Sequence, residues 1–180
     1  MEMSWSEFYK DRAGNESYRA YFEKKYNPYL AHIVYGLSHG LTVREAGCGT
    51  GLVTEIISCK SDWFVTWAAF DNDPEMLEMA WPLWDVIVEI GDMWSGRCHV
   101  DIEHSHGVLE HYQDDQIHAL LHIQKQYAYK VIHYVPTDGY DEPSFGDERL
   151  LPIEYWVDTF KPDYHFDFNQ GKDLVLSWCS

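Results

Sequence analysis

The sequence predicts an α/β fold of the doubly wound kind, a mostly parallel sheet with helices on both faces and one antiparallel strand near the C-terminus. Three observations predict it. Strand-like and helix-like segments alternate from residue 41, a glycine-rich turn joins the first strand to the first helix, and a short connection joins the last two strand-like segments. No repeat or linker divides the chain. We therefore predict a single domain over residues 1–180, with a helical cap at 1–40 and an α/β core at 41–180.

Residues 1–40 are helix-like and rich in aromatic side chains. Tyr18, Phe22, Tyr26 and Tyr29 follow one another at spacings of four, four and three, which places them on one helical face. Pro28 fits the first turn of a second helix better than the interior of one long helix. We interpret this aromatic stripe as core packing, and the alternative is a lid over a pocket.

Strands and helices then alternate through the core. Pro74 fits a first helical turn, and the segment after it continues until Pro82 disturbs the pattern. The predicted segments are strands at 41–44 and 63–70, helices at 50–60 and from Pro74, strands at 86–90 and ending near Ser105, a helix from about Asp114 and a strand at 130–135.

Two strand-like segments, 164–168 and 174–178, end the sequence. Only NQGKD separates them. Parallel neighbours need a crossover of about a dozen residues or more, so this pair must be antiparallel. The sheet should end in one reversed strand.

The composition is that of a globular protein with a strongly acidic balance. The 180 residues include 13 Lys and Arg against 30 Asp and Glu, for a formal charge of -17. Dispersed acidic residues repel phosphate backbones and anionic lipids. We therefore expect no nucleic-acid or membrane partner, which leaves small molecules, cations or a basic protein face.

No apolar run approaches the length of a membrane span, and the N-terminal segment MEMSWSEFYKDRAG lacks the apolar middle of a signal peptide. The four cysteines show no CxxC pair and no spacing typical of a zinc site. We expect a cytoplasmic protein with free thiols.

The stretch REAGCGTG at 44–51 is a candidate ligand-binding turn, because it follows the first strand and opens the first helix. Gly47, Gly49 and Gly51 do not fit the dinucleotide fingerprint G-x-G-x-x-G, whose last glycine would fall on Leu52, and no Walker-type Gly-Lys-Ser/Thr follows. Glu45 suits a ligand with an ammonium group. The alternative is that Glu45 pairs with a nearby cation such as Arg44.

Asp71 ends the second strand in FDND. A carboxylate at this place can accept hydrogen bonds from ribose hydroxyls. The alternative role, capping the helix that begins at Pro74, fits Asp73 better. We therefore predict Asp71 to be the ribose ligand.

In these stretches the chain resembles the class I S-adenosylmethionine-dependent methyltransferases, in particular small members of the type 11 and type 25 kind. The resemblance covers nearly all of residues 41–160. The matching stretches, in the order of that family, are EAGCGTG, FDNDPEML, GDM, SHGVLEH, VPTDGY and FGDERLLPIEYW. It implies a Rossmann-like fold and S-adenosylmethionine as cofactor, so residues 41–180 would be a cofactor-binding core.

The resemblance also implies roles for individual residues. Glu45, Gly47, Gly49 and Gly51 would form the turn beside the methionine moiety, and Ser105 would line the same side. The ribose and adenine contacts would come from Asp71, Asn72, Met76, Asp92 and Met93. Only about eight residues separate GDM from the heart of the fourth strand, so a helix there would be reduced to a turn.

His106 and His111 follow the fourth strand, where the resemblance implies that the acceptor lies. We predict that they orient or deprotonate the acceptor; the alternative is packing or capping at the strand end. His104 with His106, and His118 with His122, have spacings compatible with a metal site. No adjoining Glu completes a zinc-protease motif, and we predict no bound metal.

The fourth-strand motif is SHGV, whereas enzymes that methylate amino groups of adenine or glutamine have an Asn/Asp-Pro-Pro-Tyr pattern there. The sequence also contains no Pro-Cys pair to supply a nucleophile for methylation of a cytosine carbon. We therefore predict a small-molecule acceptor, whose pocket would be formed by the N-terminal helices and residues 137–154. Two alternatives are a non-catalytic S-adenosylmethionine-binding module and a protein methyltransferase.

Overall fold

The computed structural model describes residues 4–61, 64–80, 86–94, 98–142 and 147–180. The backbone forms two compact units, residues 1–96 and 97–180. The prediction of one domain with a cap at 1–40 stays a prediction. All four cysteines have free thiols, as predicted. In the described ranges, no helix combines the length and the apolar character that crossing a bilayer requires.

The first unit begins with helices and continues with alternating strands and helices. Its helices are α1 (Trp5–Tyr9), α2 (Glu16–Lys25), α3 (Asn27–Tyr35), α4 (Leu52–Lys60) and α5 (Pro74–Glu78), and its strands are β1 (Thr42–Ala46), β2 (Thr66–Asp71) and β3 (Val86–Ile90). The strands lie in the order β3-β2-β1 and pair in parallel. Ala46 lies opposite Phe70, and Asp71 lies opposite Ile90. The carboxyl ends of all three strands therefore meet at one edge.

Some aromatic residues of the N-terminal helices belong to the core, whereas Tyr21 and Tyr35 are exposed. Pro28 lies in the first turn of α3, which confirms the predicted break between two helices. Phe22 and Tyr29 are buried, and the Phe22 and Tyr26 rings pack with centroids 4.5 Å apart. This burial confirms core packing for Phe22 and Tyr29, whereas Tyr18 and Tyr26 are half-buried.

The second unit contains the remaining elements. They are β4 (Val100–His106), a 3-10 turn (Leu109–His111), α6 (Asp114–Tyr127), β5 (Ala128–Pro136), α7 (Ile153–Phe160), β6 (Tyr164–Phe168) and β7 (Asp173–Cys179). The strand order is β4-β5-β7-β6. β4 and β5 are parallel, whereas β7 is antiparallel to both β5 and β6. The predicted reversed strand is confirmed.

Helix α7 is the main element absent from the predicted segments. Its residues Trp156 and Phe160 are buried four positions apart, and their rings pack with centroids 5.4 Å apart. No side chain caps its N-terminus, which follows Pro152. Ile153, Trp156, Val157 and Phe160 follow the i, i+3, i+4, i+7 spacing of an amphipathic helix, so the sequence does carry a helical signal for this element.

Element ends also differ from the predictions. β1 extends to Ala46, β2 begins at Thr66, α4 begins at Leu52 and α5 ends at Glu78. The predicted continuation of α5 is wrong for Met79 and Ala80, which follow the end of the helix, and its remainder to Pro82 lies outside the described residues, as does the predicted strand start at Trp63. Met93 and Trp94 form a turn, as expected for the shortened connection.

Candidate functional site

Three loops converge at the carboxyl ends of β1, β2 and β3. The Cys48 N–H donates to the Phe70 carbonyl (3.0 Å), and the Gly91 N–H donates to the Asp71 carbonyl (2.9 Å). These backbone hydrogen bonds hold the glycine turn, the end of β2 and the start of the third loop side by side. The predicted cofactor residues of the first unit lie at this edge: Glu45, Gly47, Gly49, Gly51, Asp71, Asn72, Met76, Asp92 and Met93.

The glycine turn has a backbone that other residues rarely adopt. Gly47, Gly49 and Gly51 have φ angles of 68°, 54° and 70°, in the left-handed region. A Cβ on Gly49 would lie 3.1 Å from the terminal methyl of Met76. Gly51 is also the N-cap of α4. The turn therefore presents bare backbone beside a helix N-terminus, the arrangement that favours an anionic group.

Asp71 joins the end of β2 to the glycine turn. Its Oδ2 accepts from the Gly49 N–H (2.7 Å), and its Oδ1 accepts from the Asp73 N–H (2.9 Å). Burial raises the pKa of Asp71, and the two backbone hydrogen bonds oppose that rise. Asp73 in turn accepts from the N–H groups of Glu75 and Met76, which confirms it as the cap of α5.

Glu45 contacts a residue that the sequence did not point to. Its Oε2 accepts from the Thr54 N–H (3.0 Å) and from the Thr54 hydroxyl (2.5 Å), so it caps the first turn of α4 from the end of β1. Glu45 is 2% exposed. Burial raises its pKa to about 8, against the hydrogen bonds from Thr54, and nearby Asp71 adds to the rise.

The loop after β3 carries one exposed carboxylate, that of Asp92, and one buried thioether, that of Met93. Asp92 is exposed, and its Oδ1 accepts from the Trp94 N–H (2.8 Å), while Met93 is buried. Asn72 is exposed beside Asp71. The ligand contacts assigned to these residues stay predictions.

In the second unit, Ser105 belongs to a chain of buried polar side chains. Ser105 Oγ lies 2.6 Å from His133 Nδ1, His133 Nε2 lies 2.9 Å from Gln124 Oε1, and Gln124 Nε2 donates to Glu103 (2.7 Å). Because the Gln124 amide nitrogen faces a carboxylate, its oxygen accepts from His133 Nε2–H. The other ring nitrogen, Nδ1, faces the Ser105 hydroxyl.

The two predicted catalytic histidines lie in different surroundings. The His106 ring stacks on Tyr134, with centroids 4.1 Å apart and planes 10° apart, and the Tyr134 hydroxyl donates to Asp173 (2.6 Å). His111 Nδ1 lies 2.7 Å from Asp147 Oδ1. Their proposed contacts with an acceptor stay predictions.

The histidine pairs considered for a metal lie on β4 and α6, in different surroundings. Burial lowers the pKa of His104 to about 3, so its imidazole is neutral. The His118 ring packs on Phe160, and His122 lies 2.8 Å from the amide of Gln126. In the part of the chain that the structure describes, the group of potential ligands that does converge is Glu110, His111 and Glu148, whose ligand atoms lie within 4.8 Å of one another.

Glu110 is the buried member of that group. It is 1% exposed, and burial raises its pKa well above the ordinary value. A backbone hydrogen bond opposes the rise, and the carboxylates of Glu148 and Asp147 add to it. Glu110 lies within the stretch SHGVLEH, but its acidic neighbours Asp147 and Glu148 come from a segment far away in the sequence.

No family model matches this sequence, and no curated protein matches it. Several solved structures share its fold. The magnesium protoporphyrin IX methyltransferase of Synechocystis PCC 6803, with S-adenosylhomocysteine bound, is 15% identical over 96% of this chain and 91% of that chain, with a TM-score of 0.67. DhpI in complex with S-adenosylhomocysteine is 22% identical over 96% of this chain and 93% of that chain, with a TM-score of 0.67.

The pyocyanin biosynthetic protein PhzM is 16% identical over 99% of this chain and 62% of its own, with a TM-score of 0.70. At these identities the similarity is one of fold. The chain has the Rossmann-like fold of class I S-adenosylmethionine-dependent methyltransferases, which confirms the predicted fold class.

Proposed function

We propose that the protein is an S-adenosylmethionine-dependent methyltransferase that transfers the methyl group directly to a small-molecule acceptor. One observation supports this above the others: the glycine turn, Asp71 and the Gly91–Met93 loop converge at the carboxyl ends of three parallel strands. Open α/β sheets bind their ligands at this edge. The residues gathered there match the polar and apolar parts of one nucleoside-containing ligand.

Each loop has a proposed part in binding. Gly47 and Gly49 let the methionine moiety approach the backbone. Asp92 approaches the exocyclic amine of adenine, and Met93 covers the adenine ring. Asp71 accepts two backbone N–H groups, and a carboxylate has about four acceptor positions. Its remaining positions can accept ribose hydroxyls.

A small-molecule acceptor agrees with the charge of -17, which disfavours nucleic acid. Two of the similar structures are also named for small molecules, magnesium protoporphyrin IX and pyocyanin. Methyl transfer is an in-line displacement that requires alignment and, for a protonated acceptor, a base. The stack on Tyr134 fixes the plane of His106, which suits it to orient an acceptor.

The first test is calorimetry with S-adenosylhomocysteine. We expect binding by the native protein, weakened about tenfold or more by Asp71→Asn, because hydrogen bonds to a charged group contribute about 1.5–3 kcal/mol. Asp73→Asn is the matched control, since asparagine caps a helix as well as aspartate does, and it should leave the affinity unchanged. No binding by folded native protein would refute the proposal.

Turnover is tested by incubating the protein with S-adenosylmethionine and a metabolite mixture. We expect one metabolite to gain a methyl group by mass spectrometry. Binding without any methylated product would favour the non-catalytic module instead. Labelled methyl appearing on proteins of an extract would favour a protein methyltransferase.

A further inference from the structure

A group of ligand-type side chains lies after β4, formed by Glu110, His111 and Glu148. We propose that this group, the Glu110 cluster, binds a divalent transition-metal ion of the Zn²⁺ type. One ligand atom from each residue lies within 4.8 Å of the others. Two ligands of one cation lie roughly 3.4 Å apart when each bond is about 2.1 Å long in a tetrahedral site, so small side-chain rotations close the group.

Glu110 supplies an independent sign of a ligand. It is 1% exposed, yet its Oε2 has no hydrogen-bond partner in the described part of the chain. The other carboxyl oxygen of Glu110, Oε1, packs against Gly107, since a Cβ added to that glycine would lie 3.4 Å from it. A buried carboxylate oxygen without a donor is costly. A cation bound by Glu110, His111 and Glu148 together satisfies this oxygen of Glu110.

His111 is already oriented as metal-binding histidines are. Its Nδ1 lies 2.7 Å from Asp147 Oδ1, so the ring donates to a carboxylate through one nitrogen. A carboxylate behind the ring fixes the tautomer and increases the basicity of the other nitrogen. We assign metal binding to Nε2 and an orienting role to Asp147.

Arg149 holds the two segments of the cluster together. Its backbone N–H donates to the Glu110 carbonyl (2.9 Å). Its guanidinium donates to the Tyr112 carbonyl (2.5 Å) and to Asp114 (2.7 Å). The Tyr155 hydroxyl also donates to Asp114 (2.5 Å). The backbone hydrogen bond of Arg149 therefore holds its neighbour Glu148 beside Glu110. The positive charge of Arg149 pairs with Asp114.

The donor set favours a particular class of metal. Two carboxylates and one imidazole suit Zn²⁺, and less well Mn²⁺, whereas sites made for Mg²⁺ or Ca²⁺ use oxygen ligands alone. Three protein ligands leave a position for water or another molecule. The proposal departs from our expectation of no metal, and it replaces the proton-accepting role of His111, because a metal-bound nitrogen cannot accept a proton.

The experiment is a titration of ZnCl₂ into chelator-treated full-length protein, followed by calorimetry. We expect one Zn²⁺ per chain. Glu148→Gln, Glu110→Gln and His111→Gln should each weaken binding at least tenfold, and Asp147→Asn about 10- to 100-fold. Asp115→Asn, an exposed acid on α6, is the matched control and should leave the affinity unchanged.

Co²⁺ in place of Zn²⁺ provides a second readout, since its visible absorption reports the ligand set. We expect an absorption band that His111→Gln removes while far-UV circular dichroism stays native. Absence of stoichiometric Zn²⁺ binding would overturn the proposal. Binding that survives both Glu148→Gln and His111→Gln would also overturn it, because the metal would then lie elsewhere. Neither outcome depends on whether S-adenosylmethionine binds.

Discussion

At the scale of single residues, Glu45 is a carboxyl whose charge the fold disfavours. Its pKa is about 8, against an ordinary value of 4.5, chiefly because it is buried. A raised pKa means that the folded state binds the proton more tightly than the unfolded state does. The resulting stabilisation is complete below the unfolded pKa and is lost as the pH rises through about 8.

Glu45→Gln removes this titration and keeps an acceptor for Thr54. We expect the free energy of unfolding of the native protein, relative to that of Glu45→Gln, to fall between about pH 5 and pH 8 by up to about 1.4 kcal/mol per pH unit. Urea unfolding at several pH values measures it. The exposed Glu78→Gln serves as control. A difference independent of pH would contradict the burial of an uncharged Glu45.

At the scale of elements, the turn between β1 and α4 depends on Gly49 in two ways. Its φ of 54° disfavours any side chain, and an added Cβ would lie 3.1 Å from the Met76 methyl, which would have to shift slightly. Gly40, with φ of 84° and nothing within 4 Å of the position a Cβ would take, meets only the first requirement. Alanine substitutions at Gly40 and Gly49 can therefore separate the cost of backbone strain from the cost of a steric clash.

We expect Gly40→Ala to lower the free energy of unfolding by about 1–2 kcal/mol, the usual cost of a left-handed backbone. Gly49→Ala should lower it further, by about 1–3 kcal/mol for overpacking against Met76. Urea unfolding measures both. Met76→Ala added to Gly49→Ala should recover part of the loss in a double-mutant cycle. Equal effects of the two alanine substitutions would show that the Met76 contact has no cost.

At the scale of the whole molecule, the net charge of -17 opposes the compact state through self-repulsion. Salt screens this repulsion, and the Debye length falls from about 30 Å at 0.01 M to about 10 Å at 0.1 M. We expect Tm to rise over this range, by about 2–4 °C for each kcal/mol gained. The measurement is a thermal melt with chelator present, which removes any effect of bound cations. A constant or falling Tm would contradict the prediction.

Local patterns determined much of the fold and of the candidate cofactor site. Alternating segments predicted the strands, the short NQGKD connection predicted the reversed β7, and Pro74 with Asp73 predicted the start of α5. The glycine turn and Asp71 were placed correctly at strand ends. These features are encoded within a few residues, where backbone conformation and hydrogen bonding are decided locally.

Only the tertiary structure decided which side chains meet across the chain. Thr54 reaches Glu45 once α4 packs beside β1, and Asp147 reaches His111 from 36 residues away. The packing of α7 through Trp156 and Phe160 is likewise a tertiary outcome, although the spacing of its apolar residues is that of a helix. Such contacts depend on folding of segments far apart in sequence, which no local pattern specifies. The sequence thus determined the class of fold and the turn that suits a cofactor, whereas packing decided the environment of each carboxylate and created the Glu110 cluster.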